Sequence, residues 1–223
     1  MTSVQNTPHT HLTPKRIAVL ISGSGSNLQA IIEHQKNHAH LYQIVLVVSN
    51  RPNAFGLNRA AAANIPTLTI NHTDYASREL FDESLQFALD KAHLDLVVLA
   101  GFMRILTPHF TQHFLGKMLN IHPSLLPKYP GLNTHQAALQ AGDTQHGLSV
   151  HFVTPMLDSG PVILQATVNI EPNDTAESLQ QKVHTQEHLA YPLVIEWFAQ
   201  NRLQYKDNQA WLDQKPLIIP QQL

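Results

Sequence analysis

The sequence predicts an α/β fold: a mostly parallel, twisted sheet with helices on both faces, and an antiparallel ribbon in the C-terminal half. Three observations carry this. Short apolar runs rich in strand formers alternate with roughly 10- to 15-residue segments of helical periodicity, the pattern of βαβ units. Runs such as QIVLVVS (Gln43–Ser49) read as buried strands. Past residue 147 two alternating runs are joined by a short turn-rich segment, as in an antiparallel pair. The 223 residues suit one domain, residues 16–223, behind a flexible tail of residues 1–15.

Element by element, Arg16–Ile21 (RIAVLI) is a strand ending at Ser22-Gly23-Ser24-Gly25. Ser26 to about His38 reads as a helix with Leu28, Ile31 and Ile32 on one face. Gln43–Ser49 is the second strand, Asn50–Asn53 a turn, and Ala54–Asn64 an Ala-rich helix. Pro66–Ile70 is the third strand, Ser77–His93 a long amphipathic helix, and Leu94–Ala100 (LDLVVLA) the fourth strand. Lys117–Ile121 is the fifth. His122–Thr134 holds three prolines and a glycine and reads as a rigid loop. A cis bond is expected between Leu126 and Pro127, where that loop must turn sharply and cis proline costs only ~1 kcal/mol. Thr134–Ala141 is a short helix. Leu148–Thr154 and Val162–Ile170 alternate like strands with one wetter face, forming a ribbon at the sheet edge. Thr175–Asn201 is a closing helix, and the segment from Arg202 to Leu223 holds a short hairpin around Trp211.

Composition excludes several classes of function. The absence of cysteine excludes a disulfide scaffold, thiol chemistry and cysteine-based zinc sites. With 14 basic and 16 acidic side chains the formal charge is −2, so the chain lacks the positive field of a general nucleic-acid binder. The most apolar stretch, Leu94–Met103, is too short to span a bilayer and contains Asp95. Met1–Lys15 lacks the apolar segment of a signal peptide. The expectation is a cytoplasmic protein, a monomer or weak homodimer, with neither nucleic acid nor membrane as partner. Histidine is abundant, at 15, and mild acidification is expected to swing the net charge positive. His109/His113 and His184/His188 are spaced i, i+4, and His34, His38 and His40 lie close together, but none sits in an HExxH pattern. They read as solvated helix histidines, and no metal is expected.

In an open α/β sheet, ligands bind beyond the carboxyl ends of the strands. Ser22–Asn27 sits there, and its glycines and the following helix N-terminus favour an anion. A dinucleotide fingerprint is weakened on detail: Leu28 stands where a third small residue is needed, and Ser49-Asn50 where an acid should end the second strand, which leaves only Arg51 to meet a 2′-phosphate. A phosphate on a smaller ligand at Gly25, Ser26 and Asn27 fits better, the alternative being a capped tight turn. Asn120 and His122, spaced i, i+2 on the fifth strand, share one face at the carboxyl edge, beside the glycine loop. An amide donor next to a group that titrates near neutrality suits a reaction that builds negative charge on a carbonyl oxygen. Asp158, in Asp158-Ser159-Gly160, reads by itself as a turn residue.

Taken together, Asn120-Ile121-His122-Pro123-Ser124-Leu125-Leu126-Pro127, with Tyr129, Gly131 and Leu157-Asp158-Ser159-Gly160-Pro161, resembles the formyltransferases that use 10-formyltetrahydrofolate. Gly23–Leu28, Leu99–Leu106 and Thr185–His188 resemble the branch of that family acting in purine biosynthesis. The resemblance implies a Rossmann-like formyltransferase fold. It implies direct transfer of a formyl group from 10-formyltetrahydrofolate to the amine of glycinamide ribonucleotide, with no metal. Asn120 would donate to the oxyanion, protonated His122 would be the second donor, and Asp158 would hold His122 charged and shuttle a proton through water. Ser124 would only bond within the loop. Gly25, Ser26 and Asn27 match the segment that grips the phosphate; His184, Thr185, Gln186 and Glu187 match the one that meets the ribose. Met103, Arg104, Ile105 and Leu106, with Asn120, match the pterin site, and Arg78 the folate side. Asn133 departs from the histidine expected there. The length leaves no room for the added domains of methionyl-tRNA formyltransferases or formyltetrahydrofolate deformylases. The open alternatives are a related folate-dependent formyltransferase or deformylase, and a non-catalytic nucleotide-binding protein.

Overall fold

The computed structural model describes residues 13–223; the rest of the expected tail lies outside the described residues, and Lys15 already belongs to the first strand. The main sheet has eight strands in the order β11-β7-β6-β5-β4-β1-β2-β3. Its parallel half comprises β1 (Lys15–Ile21), β2 (Tyr42–Ser49), β3 (Thr67–Thr69), β4 (Leu96–Leu99) and β5 (Met118–His122). Direction then reverses: β6 (Gln145–Phe152) runs antiparallel to β5, and β7 (Val162–Asn169) antiparallel to β6.

Two apolar cores flank the sheet, and the alternation of β1 shows why. Ile17, Val19 and Ile21 enter one core, Ala18 and Leu20 the other, as the two-residue period of a strand dictates. The first core is covered by α1 (Ser26–His38), α2 (Gly56–Ala62) and α6 (Ala176–Ala199), which supply Leu28, Ile31, Ala60, Val183, Val194 and Ile195. The second is covered by α3 (Arg78–Lys91) and α4 (Pro108–His113), through Phe81, Leu85, Leu89 and Phe110. α5 (Thr134–Gln140) follows the proline-rich loop, whose Leu126–Pro127 bond is cis, as expected.

Several expectations are corrected. No element is expected over 101–116, yet Thr107 caps α4 by accepting from the Phe110 N–H at 3.3 Å, with Pro108 in the first turn. β6 has no wetter face: every residue after Gln145 is buried, because α6 covers one side and the proline-rich loop the other. The β6–β7 ribbon is not at the edge, since β11 (Gln221–Gln222) pairs with β7 beyond it. Asn133 has φ 59, a left-handed conformation that asparagine accepts more readily than histidine. Past α6, β8 (Leu203–Lys206) and β9 (Gln209–Leu212) form the hairpin expected around Trp211, and β10 (Lys215–Pro216) extends it. Among the described residues no helix is long and apolar enough to cross a membrane.

Candidate active site

The glycine loop joins β1 to α1 at the carboxyl edge of the sheet. Gly25 has φ 70, and a Cβ added there would lie 2.6 Å from the Gly56 Cα, so the N-termini of α1 and α2 can meet only because both positions are glycine. The Gly56 N–H donates to the Gly23 carbonyl at 3.0 Å. No side chain caps α1, which leaves its first-turn N–H groups available to a ligand. Arg59, on α2, donates to the Ser24 carbonyl at 2.9 Å and brings a cation to this loop. Sequence reasoning missed Arg59 because only the packing of α2 on the loop places it there.

Asn27 and Glu187 meet although 160 residues apart: the Asn27 amide donates to Glu187 Oε2 at 2.7 Å, both side chains being buried. Burial pushes the Glu187 carboxyl above its ordinary range, opposed by the Asn27 hydrogen bond and by His184, whose Nε2 lies 4.0 Å away. Thr185 does not join them. It is exposed, two residues and about 200° of helix from Glu187, and its hydroxyl donates to the Gln181 carbonyl. Gln186 is half-buried.

One strand lies between this loop and the Asn–His pair: the order β5-β4-β1 inserts β4, so the two are not immediate neighbours as the sequence reading had them. What unites them is α6. Buried Tyr191 donates its hydroxyl proton between the Leu99 and Leu119 carbonyls, 2.9 and 3.0 Å away, pinning the ends of β4 and β5 to the helix that carries Glu187.

At the end of β5 four side chains converge. His122 is buried; its Nε2 donates to the Tyr129 carbonyl at 2.8 Å, and its Nδ1 lies 3.5 Å from Asp158 Oδ2. Tyr129 has φ 54, a strained conformation for a bulky residue, and this turns its carbonyl toward the ring. Asp158, also left-handed at φ 47, accepts from the Gly131 N–H at 2.9 Å. It is thus more than a turn residue: it ties its own turn to the proline-rich loop. The fourth member, His151, was missed. β6 pairs His151 directly with Asn120, and cross-strand partners share a face. Nδ1 of His151 donates to the Phe152 carbonyl at 2.9 Å, so its Nε2 accepts from the Asn120 amide at 3.1 Å. Burial holds this imidazole below its usual pKa, hence neutral. Its Nε2 lies 3.9 Å from Asp158 Oδ1. The only sequence signal was a histidine inside an apolar strand, which becomes informative once the β5–β6 register is known. Ser124 bonds within its loop, donating to the Lys128 carbonyl at 2.6 Å.

The segment after β4 is anchored by Ser22, whose hydroxyl accepts from the Met103 N–H at 2.7 Å and donates to Asn50 at 2.6 Å. Met103 and Ile105 stand exposed past the end of β4. Leu106 does not join them: its side chain is buried in the core with Phe110. Arg104 lies over the Phe81 ring at 4.4 Å, and its buried Nε makes no hydrogen bond. Arg78 stands exposed in the first turn of α3. The histidines also correct the charge expectation. His135, pushed down to about 4, and His34, His146, His151 and His188 are all held below their usual pKa, chiefly by burial, so the positive swing on mild acidification is blunted.

Comparison with known proteins follows the same lines. The family model described as formyl transferase matches residues 15–195. The chain is 55% identical over 197 residues to the phosphoribosylglycinamide formyltransferase of Escherichia coli strain K12, covering 88% of this chain and 93% of that protein. It is 49% identical over 203 residues to the Haemophilus influenzae protein of the same name, covering 91% and 96%. The solved structure of phosphoribosylglycinamide formyltransferase from Coxiella burnetii superposes with a TM-score of 0.90 at 52% identity, over 94% of this chain and 99% of that one. With the family match extending from the start of β1 into α6, the chain belongs to the formyl transferase family.

Proposed function

We propose that this enzyme transfers the formyl group of 10-formyltetrahydrofolate directly to the amine of glycinamide ribonucleotide, a step of purine biosynthesis. The observation that carries the reading is the convergence of Asn120, His122, His151 and Asp158 on the same carboxyl edge of the sheet as the uncapped N-terminus of α1. The close relatives named for this substrate support the choice of amine. The ribonucleotide phosphate sits at the N–H groups of Gly25, Ser26 and Asn27, with Arg59 nearby, and the ribose meets Glu187 and His184. The pterin lies along the backbone of Met103–Leu106, with Arg104 and Arg78 on the folate side. Three buried polar atoms bordering these subsites make no hydrogen bond within the protein: Asn27 Oδ1, Arg104 Nε and His188 Nε2. Buried groups of this kind normally find partners, which fits a ligand supplying them.

The amine attacks the formyl carbon, whose oxygen becomes an oxyanion as the nitrogen becomes an ammonium. His151 takes one N–H of the Asn120 amide and so fixes its plane; the other N–H donates to the oxyanion. Removing one such donor typically costs ~3 kcal/mol of transition-state stabilisation. The approach of His122 Nδ1 to Asp158, at 3.5 Å, is longer than a hydrogen bond and leaves that N–H free to turn toward the oxyanion. Asp158 accepts the ammonium proton through water and returns it to the folate nitrogen as the carbon–nitrogen bond breaks. The chemistry needs no metal. Residues 16–223 act as one catalytic unit, as a monomer or weak homodimer in the cytoplasm, with small molecules rather than nucleic acid or membrane as partners.

The test is a spectrophotometric assay with purified enzyme, 10-formyltetrahydrofolate and glycinamide ribonucleotide. Release of deformylated folate that requires the ribonucleotide is the expected result. Release without it would establish a deformylase instead, and binding of both ligands without release a non-catalytic protein.

A further inference from the structure

We propose that His34, His38 and Glu196 form a binding site for a divalent transition-metal ion, zinc by its donor set, clipping the end of α1 to α6 away from the cleft. His34 Nε2 lies 3.2 Å, and His38 Nε2 3.7 Å, from the same oxygen, Glu196 Oε2. One potential ligand atom from each residue falls within 4.8 Å of the other two. Nitrogen and oxygen ligands about 2.0–2.2 Å from a tetrahedral zinc stand roughly 3.3–3.5 Å apart, so the spacing already approximates that of a filled site.

The outer partners decide the tautomers. His38 Nδ1 lies 2.8 Å from the His34 carbonyl, an acceptor only, so Nδ1 carries the proton and the neutral ring has its lone pair on Nε2. His34 Nδ1 lies 2.9 Å from the Tyr42 hydroxyl, which also reaches the Ile31 carbonyl at 3.3 Å, so this ring too is held by a second partner. Glu196 Oε1 accepts from the Gln200 amide at 2.8 Å, leaving Oε2. All three ligands are thus oriented by second partners, as at metal centres.

The two rings stack with centroids 3.9 Å apart and an interplanar angle of 5°, with the Nε2 atoms of both near Glu196 Oε2. The three side chains are 20–30% exposed, which gives an aquo ion entry and lets water complete the coordination. The i, i+4 spacing of the histidines puts them on one face of α1, and Glu196 arrives from α6. The pattern escaped sequence reading because the third ligand lies 158 positions beyond His38.

The experiment uses the untagged, chelator-treated full chain, titrated with Zn²⁺ against a chromophoric competitor, with thermal melts recorded with and without Zn²⁺. One ion should bind per chain and raise the melting temperature, since an ion bound only to the native state stabilises it. His38→Gln and Glu196→Gln should each weaken binding by roughly tenfold or more and abolish the melt shift, while melting normally in chelator. His113→Gln, which breaks the i, i+4 histidine pair on α4, should change neither. No binding above the competitor, or binding and stabilisation that survive both substitutions, would overturn the assignment.

Discussion

Replacing Asp158 with asparagine separates proton shuttling from turn formation at one position. The change preserves shape. Asparagine adopts the left-handed φ of 47 as readily as aspartate, and its amide oxygen can still accept the Gly131 N–H that Oδ2 now takes at 2.9 Å. What disappears is the negative charge and the base. With Oδ2 3.5 Å from His122 Nδ1, a full charge on each would interact by roughly 5 kcal/mol at an effective dielectric of ~20. Desolvation offsets part of that, so the floor is the ~100-fold typical of lost acid–base catalysis, about 2.7 kcal/mol, and the ceiling about 3,000-fold. Turnover number should fall within that range, while ribonucleotide affinity holds, because the phosphate loop follows β1 and β4 separates it from β5. The melting temperature should move by no more than a few degrees. The assay is steady-state kinetics with a thermal melt of the same preparation. A folded variant with wild-type turnover would remove Asp158 from the mechanism and leave it on Asn120 and His122.

Asn120→Ala should lower the turnover number about 100- to 1,000-fold with little change in KM, checked by the same kinetics, since its free N–H acts chiefly on the transition state. Gly25→Ala forces a Cβ to 2.6 Å from the Gly56 backbone at φ 70. It should cost ~1–3 kcal/mol, read as a melt lowered by roughly 2–12 °C, and weaken binding of inorganic phosphate in calorimetry. Glu187→Gln should raise the melting temperature at pH 7 yet weaken ribonucleotide binding. Burial raises the folded-state pKa of this carboxyl, so its contribution to stability is complete below the ordinary value of 4.5 and is lost as pH rises through the raised one. Melts from pH 4 to 8 should therefore show a gap between variant and wild type that opens with rising pH, and a gap independent of pH would refute the sign.

The parallel half of the fold was legible because its signals are local. Ile17–Ile21 is buried on both faces, and the helix expected over Ser26–His38 spans those residues. α4 was missed because a six-residue helix offers barely one period, and its marks are a capping threonine and a proline that also serve turns. The same divide runs through the site. Asn120, His122 and the glycine loop stood out because spacing on one strand or at one helix end is written in consecutive residues. His151, Arg59 and the carbonyl of Tyr129 did not, because each acts through pairing, helix packing or a backbone angle that arises only on folding. Leu106 and Thr185 show the converse. They belong to segments at the cleft, yet their own positions along those segments turn their side chains into the core and into solvent.

The reversal of strand direction at β5 explains how two histidines of the same cleft come to do different work. A parallel neighbour would have reached that edge only through another crossover connection. The antiparallel β6, reached through the proline-rich loop and α5, places His151 opposite Asn120 and Ser149 opposite His122. Ser149 accepts from the Leu126 N–H at 3.0 Å and donates to the Ser124 carbonyl at 2.7 Å, fixing the loop whose Tyr129 carbonyl holds His122. The pairing of β6 with β7 shifts register between Val150 and His151, and such irregularities re-aim a side chain next to many active sites. Buried His151 is thereby held neutral and serves as an acceptor for an amide. His122 has an acceptor beside each nitrogen. One imidazole holds the Asn120 amide and the other has an acceptor at each nitrogen, and the strand that separates them is the one that departs from the parallel order.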